Sequence, residues 1–153
     1  MPIIGTQPPL IRENRLYQTD WLLRFYGYDV KEILNDLHPN LEMDIDPKLS
    51  WALRNPGFFP VDINTDDYQM VLRVPGIGVR SAQKIVASRK FGKLHIHQLK
   101  KMGIAYNRAR HFIRCADSPF QLNEKEPHAI KNIILQNSKS KYLKNKEGQL
   151  SLF

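Results

Sequence analysis

The sequence predicts an all-α chain: a small helical region over residues 1–60, a pair of helix–turn–helix units over 61–117, and a mostly flexible basic tail over 118–153. Three observations predict it. Apolar residues recur at three- and four-residue steps behind recognisable helix caps. The stretch VLRVPGIGVRSAQKIV, residues 71–86, breaks one helical pattern with a proline and two glycines and restarts another at once. A weaker copy of that pattern follows 27 residues later. The 153 residues, 42% of them apolar, suffice for one ordinary domain or two small ones.

Residues 1–10 are rich in proline and read as extended. ENRLYQTDWLLRFYG then reads as an amphipathic helix, with Leu16, Leu23 and Tyr26 near one another and Trp21, Leu22 and Phe25 widening the stripe. Gly27 ends it. The aromatic set Tyr17, Trp21, Phe25, Tyr26 and Trp51 is expected in the core, as one that a neighbouring domain can extend. Asp29 can cap a short helix, VKEILNDL, that stops before Pro39, and Asp46–Pro47 is a cap and first-turn signature for KLSWALRN.

After the linker PGFFP, a helix is expected within VDINTDDYQMVLRV, with Asn64 or Thr65 as cap and Tyr68, Val71 and Leu72 at helical spacing. Val79 to Arg89 forms the next, with Ala82, Ile85 and Val86 facing inward and Arg80 and Lys84 one turn apart on another face. A shift of 27 residues lays Leu72 on Leu99, Arg73 on Lys100, Gly76 on Gly103, Ile77 on Ile104, Ala82 on Ala109, Ile85 on Phe112 and Val86 on Ile113. This reads as an internal duplication.

Charge is concentrated in the duplicated part. Residues 1–60 hold 6 Lys/Arg against 8 Asp/Glu, residues 61–117 hold 11 against 4, and residues 118–153 hold 6 against 3. A basic block of net +7 in a chain of net +8 points to a dedicated surface for a polyanion. The single cysteine, Cys115, excludes an internal disulfide and any iron–sulfur cluster held within these residues. No apolar run reaches membrane-spanning length, and MPIIGTQPPL lacks the features of a signal peptide, so a cytoplasmic, nucleoid-associated location is expected. Glu42, Asp44 and Asp46 alternate like metal ligands, yet one is a helix cap and the others read as a solvated face. His95, His97, His111 and Cys115 lack the spacing of a zinc motif and read as mixed surface and core.

The broken helix has a physical purpose. Glycines at 76 and 78 allow positive φ and remove side chains that would hold a ligand off the backbone, while Pro75 stiffens the turn and Ile77 anchors it. Gly76, Gly78, Arg80 and Ser81 can then offer backbone N–H groups to an anion where the helix dipole favours negative charge, with the Arg80 and Lys84 side chains as a second layer. The expected ligand is a nucleic-acid phosphate. The second turn, Gly103-Ile104-Ala105, has one glycine and no proline, so it is expected to be partly structural, with Lys100, Lys101, Arg108 and Arg110 adding charge.

PGIG between two such helices resembles the helix-hairpin-helix motif, and its duplication resembles the tandem domains of DNA repair proteins and the bacterial competence DNA receptor. That resemblance implies contact to the DNA backbone with little sequence preference. It also implies a monovalent cation, potassium or sodium, held by the carbonyls of Leu72, Val74 and Ile77 between hairpin and phosphate. From PPLIRENRLYQTDWLLRFYGY through DIDPKLSWALRNPGFFPVDIN to the hairpins, the chain is similar to the C-terminal region of bacterial putative DNA modification or repair radical-SAM proteins, a family associated with uracil-DNA glycosylase. The radical chemistry of that family needs three cysteines, so it is expected in another half or partner, with this chain as the DNA-targeting part.

Two rival functions are weighed against this one. In helix-hairpin-helix glycosylases and lyases a lysine after the hairpin can act as the Schiff-base nucleophile. Here Arg80 stands in that place, protonated and non-nucleophilic, and no aspartate follows before Asp117, which argues against an enzyme. The other rival is a module whose N-terminal helices dock a catalytic partner. Finally, the sequence ends in Gln149, Leu150, Ser151, Leu152 and Phe153, which resembles the bacterial sliding-clamp-binding motif. That likeness implies apolar anchoring by Leu150, Leu152 and Phe153, polar contacts from Gln149 and Ser151 as spacer.

Overall fold

The computed structural model describes residues 7–117 and 127–144, with side chains over 10–117 and 127–137. The chain is mostly helical and divides into two compact units, Met1–Trp51 and Ala52–Phe153. The division falls inside a helix, nine residues ahead of the expected 60/61 boundary. Among the described residues, no helix is long and apolar enough to cross a membrane.

In the first unit, α1 spans Gln7–Phe25 and begins earlier than expected. Pro8 and Pro9, expected in an extended segment, lie in its first turn, where their missing N–H groups would have had no partner in the helix. Gly27, at φ 73, ends the helix as expected, and Tyr28 N–H returns to Leu22 O at 3.2 Å. Asp29 accepts from Lys31 N–H at 3.1 Å and Glu32 from Asp29 N–H at 2.8 Å, capping α2 (Val30–Ile33). That helix stops short of the expected VKEILNDL because Asn35 folds a turn, its Oδ1 accepting from Leu37 and His38 N–H. Helix α3, Pro47–Arg54, starts where Asp46 Oδ2 accepts from Leu49 N–H at 3.2 Å, as its sequence signature predicts.

The face that α1 buries differs from the expected one. Gln18, Thr19 and Leu22 are buried, whereas Leu16, Tyr17, Trp21, Leu23 and Phe25 are exposed. The buried side is held by polar bonds: Thr19 Oγ1 donates to Arg15 O at 2.9 Å, and Arg15 donates to Gln18 Oε1 and, through Nε and Nη2, to Met43 O. Tyr17, Trp21 and Phe25 instead stack along the helix surface, with centroids 6.2 and 4.6 Å apart. Of the aromatic set expected in the core, Trp51 is buried against Tyr28 and Tyr26 is half-buried. Two short helices supply too few partners to cover a 19-residue helix on both sides.

Early in the second unit lie Phe58 and Phe59, Phe59 packing on Phe112 at 5.1 Å between centroids. A strand pair then appears that the helical reading overlooked. β1 (Val61–Asp62) runs parallel to β2 (Ile113–Arg114), with Val61 opposite Ile113. Val61 N–H donates to Phe112 O and Ile63 N–H to Arg114 O, both at 2.9 Å. Helix α4, Tyr68–Leu72, is capped by Asp67, which accepts from Met70 N–H at 3.0 Å. The expected cap Asn64 is occupied elsewhere: its Oδ1 accepts from Leu94 N–H at 2.7 Å and its Nδ2 donates to Leu94 O.

Helix α5 covers Val79–Ser88, α6 Ile96–Lys101 and α7 Tyr106–Ala109. The residues paired by the 27-residue shift are buried alike: Leu72 and Leu99, Ile77 and Ile104, Ala82 and Ala109, Ile85 and Phe112. Val86 is half-buried while its counterpart Ile113 is buried in β2. Helix α8, Pro127–Lys144, corrects the expectation of a mostly flexible tail over these residues. It packs on α7 and buries Ile130 and Ile134, two of the apolar residues in AIKNIIL.

Candidate nucleic-acid interface

The turn between α4 and α5 is closed by Arg73 N–H to Met70 O, Val74 N–H to Val71 O and Ile77 N–H to Val74 O, at 3.1–3.2 Å. Val74, Pro75 and Ile77 are buried and hold it rigidly. The first hydrogen bond of α5 runs from Ala82 N–H to Gly78 O at 2.9 Å. The N–H groups of Val79, Arg80 and Ser81 therefore precede any intrahelical acceptor, at the positive end of the helix dipole. Arg80 and Lys84 are exposed on the same helix, one turn apart. These groups have the chemistry an anion needs: backbone donors at the helix start and two cations beside them.

The glycines work differently from the expectation. Gly78 sits at φ −90 and ψ 179, an extended conformation open to any residue. Gly76 is at φ 92, but the space a side chain would fill faces the second turn and not a ligand. An added Cβ would stand 2.7 Å from Ala105 O and 3.2 Å from Ala109 N, and Ala105 N–H donates to Gly76 O at 2.9 Å. Gly76 thus lets the two copies touch. Ser81 adds a second link: its buried Oγ donates to Met102 O at 3.0 Å, so only its backbone N–H can serve an anion.

In the second copy, Lys100, Lys101 and Gly103 are exposed, and Arg108 and Arg110 are half-buried. Lys100 Nζ lies 4.9 Å from the centroid of the Tyr106 ring. Burial raises the Tyr106 hydroxyl above the ordinary tyrosine range. Gly103, at φ 83, is more open than Gly76; a Cβ there would meet only Ser81 Oγ at 3.8 Å. The structure therefore joins both turns at Gly76, Ser81, Met102 and Ala105.

The carbonyl-bearing residues Leu72, Val74 and Ile77 are all buried, which fixes their backbone around the turn. Val74 O accepts from Ile77 N–H at 3.1 Å, and a carbonyl oxygen has a second lone pair. Asp117, the aspartate weighed for lyase chemistry, accepts from Ile96 N–H at 2.9 Å at the start of α6 and from Cys115 Sγ at 3.4 Å. The bond from Ile96 holds its carboxyl below the usual carboxylate range. Glu42 accepts from Ser50 Oγ at 2.9 Å; His95 and His97 are exposed, while His111 and Cys115 are buried. Among the described residues no group of three or more His, Cys, Asp or Glu is placed to hold a metal. Gln149, Leu150, Ser151, Leu152 and Phe153 lie outside the described residues.

Sequence reasoning overlooked Phe91, which is almost fully exposed between Lys90 and Lys93. The signal was present as KFGK, an aromatic among cations beside a glycine, but a single exposed ring has no periodicity to betray it. Compared with protein-family models, curated proteins and solved structures, the chain matches none.

Proposed function

We propose that the chain binds DNA through its phosphate backbone, with little dependence on sequence. On this reading the two copies act as a tandem helix-hairpin-helix domain, the DNA-targeting part of a repair or modification system of the radical-SAM-associated kind that the sequence resembles. The observation that carries it is the start of α5, where unpaired N–H groups, Arg80 and Lys84 converge within the +7 region. The α5 end grips one phosphate; Lys100, Lys101 and Arg108 draw in the strand beyond it. Leu72, Val74 and Ile77 would hold a potassium or sodium ion, which supplies a positive charge against the same phosphate.

The test is the salt dependence of duplex binding between about 50 and 200 mM salt. Two unrelated sequences should bind alike, with a slope corresponding to roughly 3–6 phosphate contacts. The double variant Arg80→Ala/Lys84→Ala should lower that slope by about 2, one for each contact removed. A flat dependence, or an unchanged slope in the variant, overturns the reading. Repeating the titration with potassium replaced by a bulky organic cation should weaken binding if the ion bridges protein and phosphate.

The uncovered stripe Tyr17, Trp21 and Phe25 favours a second reading, in which α1 also docks a catalytic partner. A purified radical-SAM half of the family resembled should bind the chain but not a variant carrying Trp21→Asp and Phe25→Asp, while DNA binding stays unchanged. Equal binding by both chains excludes this role for α1.

A further inference from the structure

Phe91 closes the 3₁₀ turn Arg89–Phe91 that follows α5, and at 93% exposure it is the barest large apolar side chain among the described residues. Its loop is built, not slack. Arg89 Nη1 donates to Ile63 O at 3.1 Å and to Asp66 O, fixing the near side. Two bonds between Asn64 and Leu94 fix the far side, and Asp117 holds the next turn through Ile96 N–H. Gly92, at φ 153 and ψ 163, carries the chain on directly after the ring in an extended conformation that other residues resist. A Cβ at Gly92 would meet nothing within 4 Å beyond its chain neighbours, and the ring beside it is itself bare, so a flat group can approach it.

A rigid loop holding a bare phenyl ring can take a cover at little cost in ordering, and the ring carries about 150–250 Å² of surface that water solvates poorly. The neighbours decide what that is. Lys90 and Lys93 are both exposed and flank Phe91 in sequence, one residue before it and two after. Cations flanking an aromatic face suit a polyanion that itself presents flat apolar faces, which describes a nucleic-acid strand. A duplex hides its base faces in the stack, so the ring can reach only an unstacked base. The 10 residues of α5 set this loop about 15 Å from the anion-binding turn, so it meets a different part of the nucleic acid.

We propose that Phe91, Lys90 and Lys93 form a single-strand contact, the ring stacking on an exposed base and the lysines pairing with adjacent phosphates. Resting on the DNA reading above, this names the substrate class: DNA that carries a single-stranded stretch beside a duplex, as at a gap, flap or overhang.

The experiment titrates the full chain and its Phe91→Ala and Phe91→Trp variants with oligothymidylate, a blunt duplex, a duplex with a single-stranded overhang, and anionic phospholipid vesicles. Phe91→Ala should weaken binding of oligothymidylate and of the overhang substrate by about five- to hundredfold and leave the blunt duplex unchanged. Phe91→Trp should retain binding, and its added emission, read against the unaltered chain with its Trp21 and Trp51, should be quenched by oligothymidylate. Equal losses on duplex and single strand, no loss on either, or absence of quenching overturns the proposal. Phe91-dependent binding of the vesicles also overturns it, in favour of a lipid surface. Failure of the unaltered chain to bind any DNA counts against the DNA reading itself, whereas intact duplex binding with an indifferent Phe91 counts against this contact alone.

Discussion

Gly76 and Gly103 occupy matching places in the two copies, at φ 92 and 83, but their surroundings differ sharply. A side chain at Gly76 would collide with the backbone of Ala105; one at Gly103 would meet only the end of a serine side chain. The helices that follow differ too, 10 residues in α5 against 4 in α7. In the second copy the chain leaves the helix after Ala109 to place Ile113 in β2. The two copies thus share the buried apolar set and the turn conformation, while their surroundings and following helices differ. At Gly76 a neighbour's backbone fills the side-chain space; at Gly103 only the left-handed φ of the residue itself stands against a side chain.

The largest test of this contrast is steric. Gly76→Ala should cost about 3 kcal/mol or more, because backbone atoms at 2.7 Å cannot move aside cheaply and the φ strain adds to the clash. Gly103→Ala should cost about 1–2 kcal/mol, the left-handed strain by itself. Urea denaturation of both variants measures the difference. Equal losses would mean that the second turn is as tightly fitted as the first.

A smaller test concerns how each copy's first helix begins. Asp67 caps α4 locally, whereas α6 joins a local bond, His95 N–H to Gln98 Oε1 at 2.8 Å, to one from Ile96 N–H to Asp117, 21 residues on. Because Asp117 is held below the ordinary carboxylate range, its contribution to stability is fully present above the unfolded carboxyl pKa of about 4. That contribution is lost as pH falls through the lower folded value. Asp117→Asn should therefore be slightly less stable than the unaltered chain at neutral pH, and the gap should close under acid. A gap that persists unchanged at low pH would assign the effect to shape and not to charge.

Local signals carried the sequence reading furthest where the chain satisfies itself locally. Asp29 and Asp46 cap the helices expected of them, because an N-cap bond spans only two or three residues. The paired apolar positions were legible because each copy repeats its own periodicity. Long-range commitments were hidden. Asn64 has the chemistry of a cap but is used 30 residues away at Leu94, leaving Asp67 to start α4. The strand pair is two residues long on each side, too short to show alternation. In α1 the periodicity revealed an apolar stripe, but whether anything covers Tyr17, Trp21 and Phe25 depends on what the rest of the unit supplies. At the turn between α4 and α5, the cations and the break were legible; the reason for Gly76 was not, because its partner Ala105 lies in the other copy.

The parallel pair has a consequence for how the protein is made. Val61 and Ile63 donate to Phe112 and Arg114, so the entry to the first copy is bonded to the exit of the second. A ribosome adding about 5–20 residues per second takes roughly one to five seconds to run from the end of α5 at Ser88 to Arg114 of β2. For that interval the first copy exists without Ala105 beside Gly76, without Met102 to receive Ser81 and without β2 beside β1. The basic hairpin is therefore exposed as a nascent element before its packing partners have been synthesised, and its native rigidity arrives late, when the last strand closes the ring of contacts.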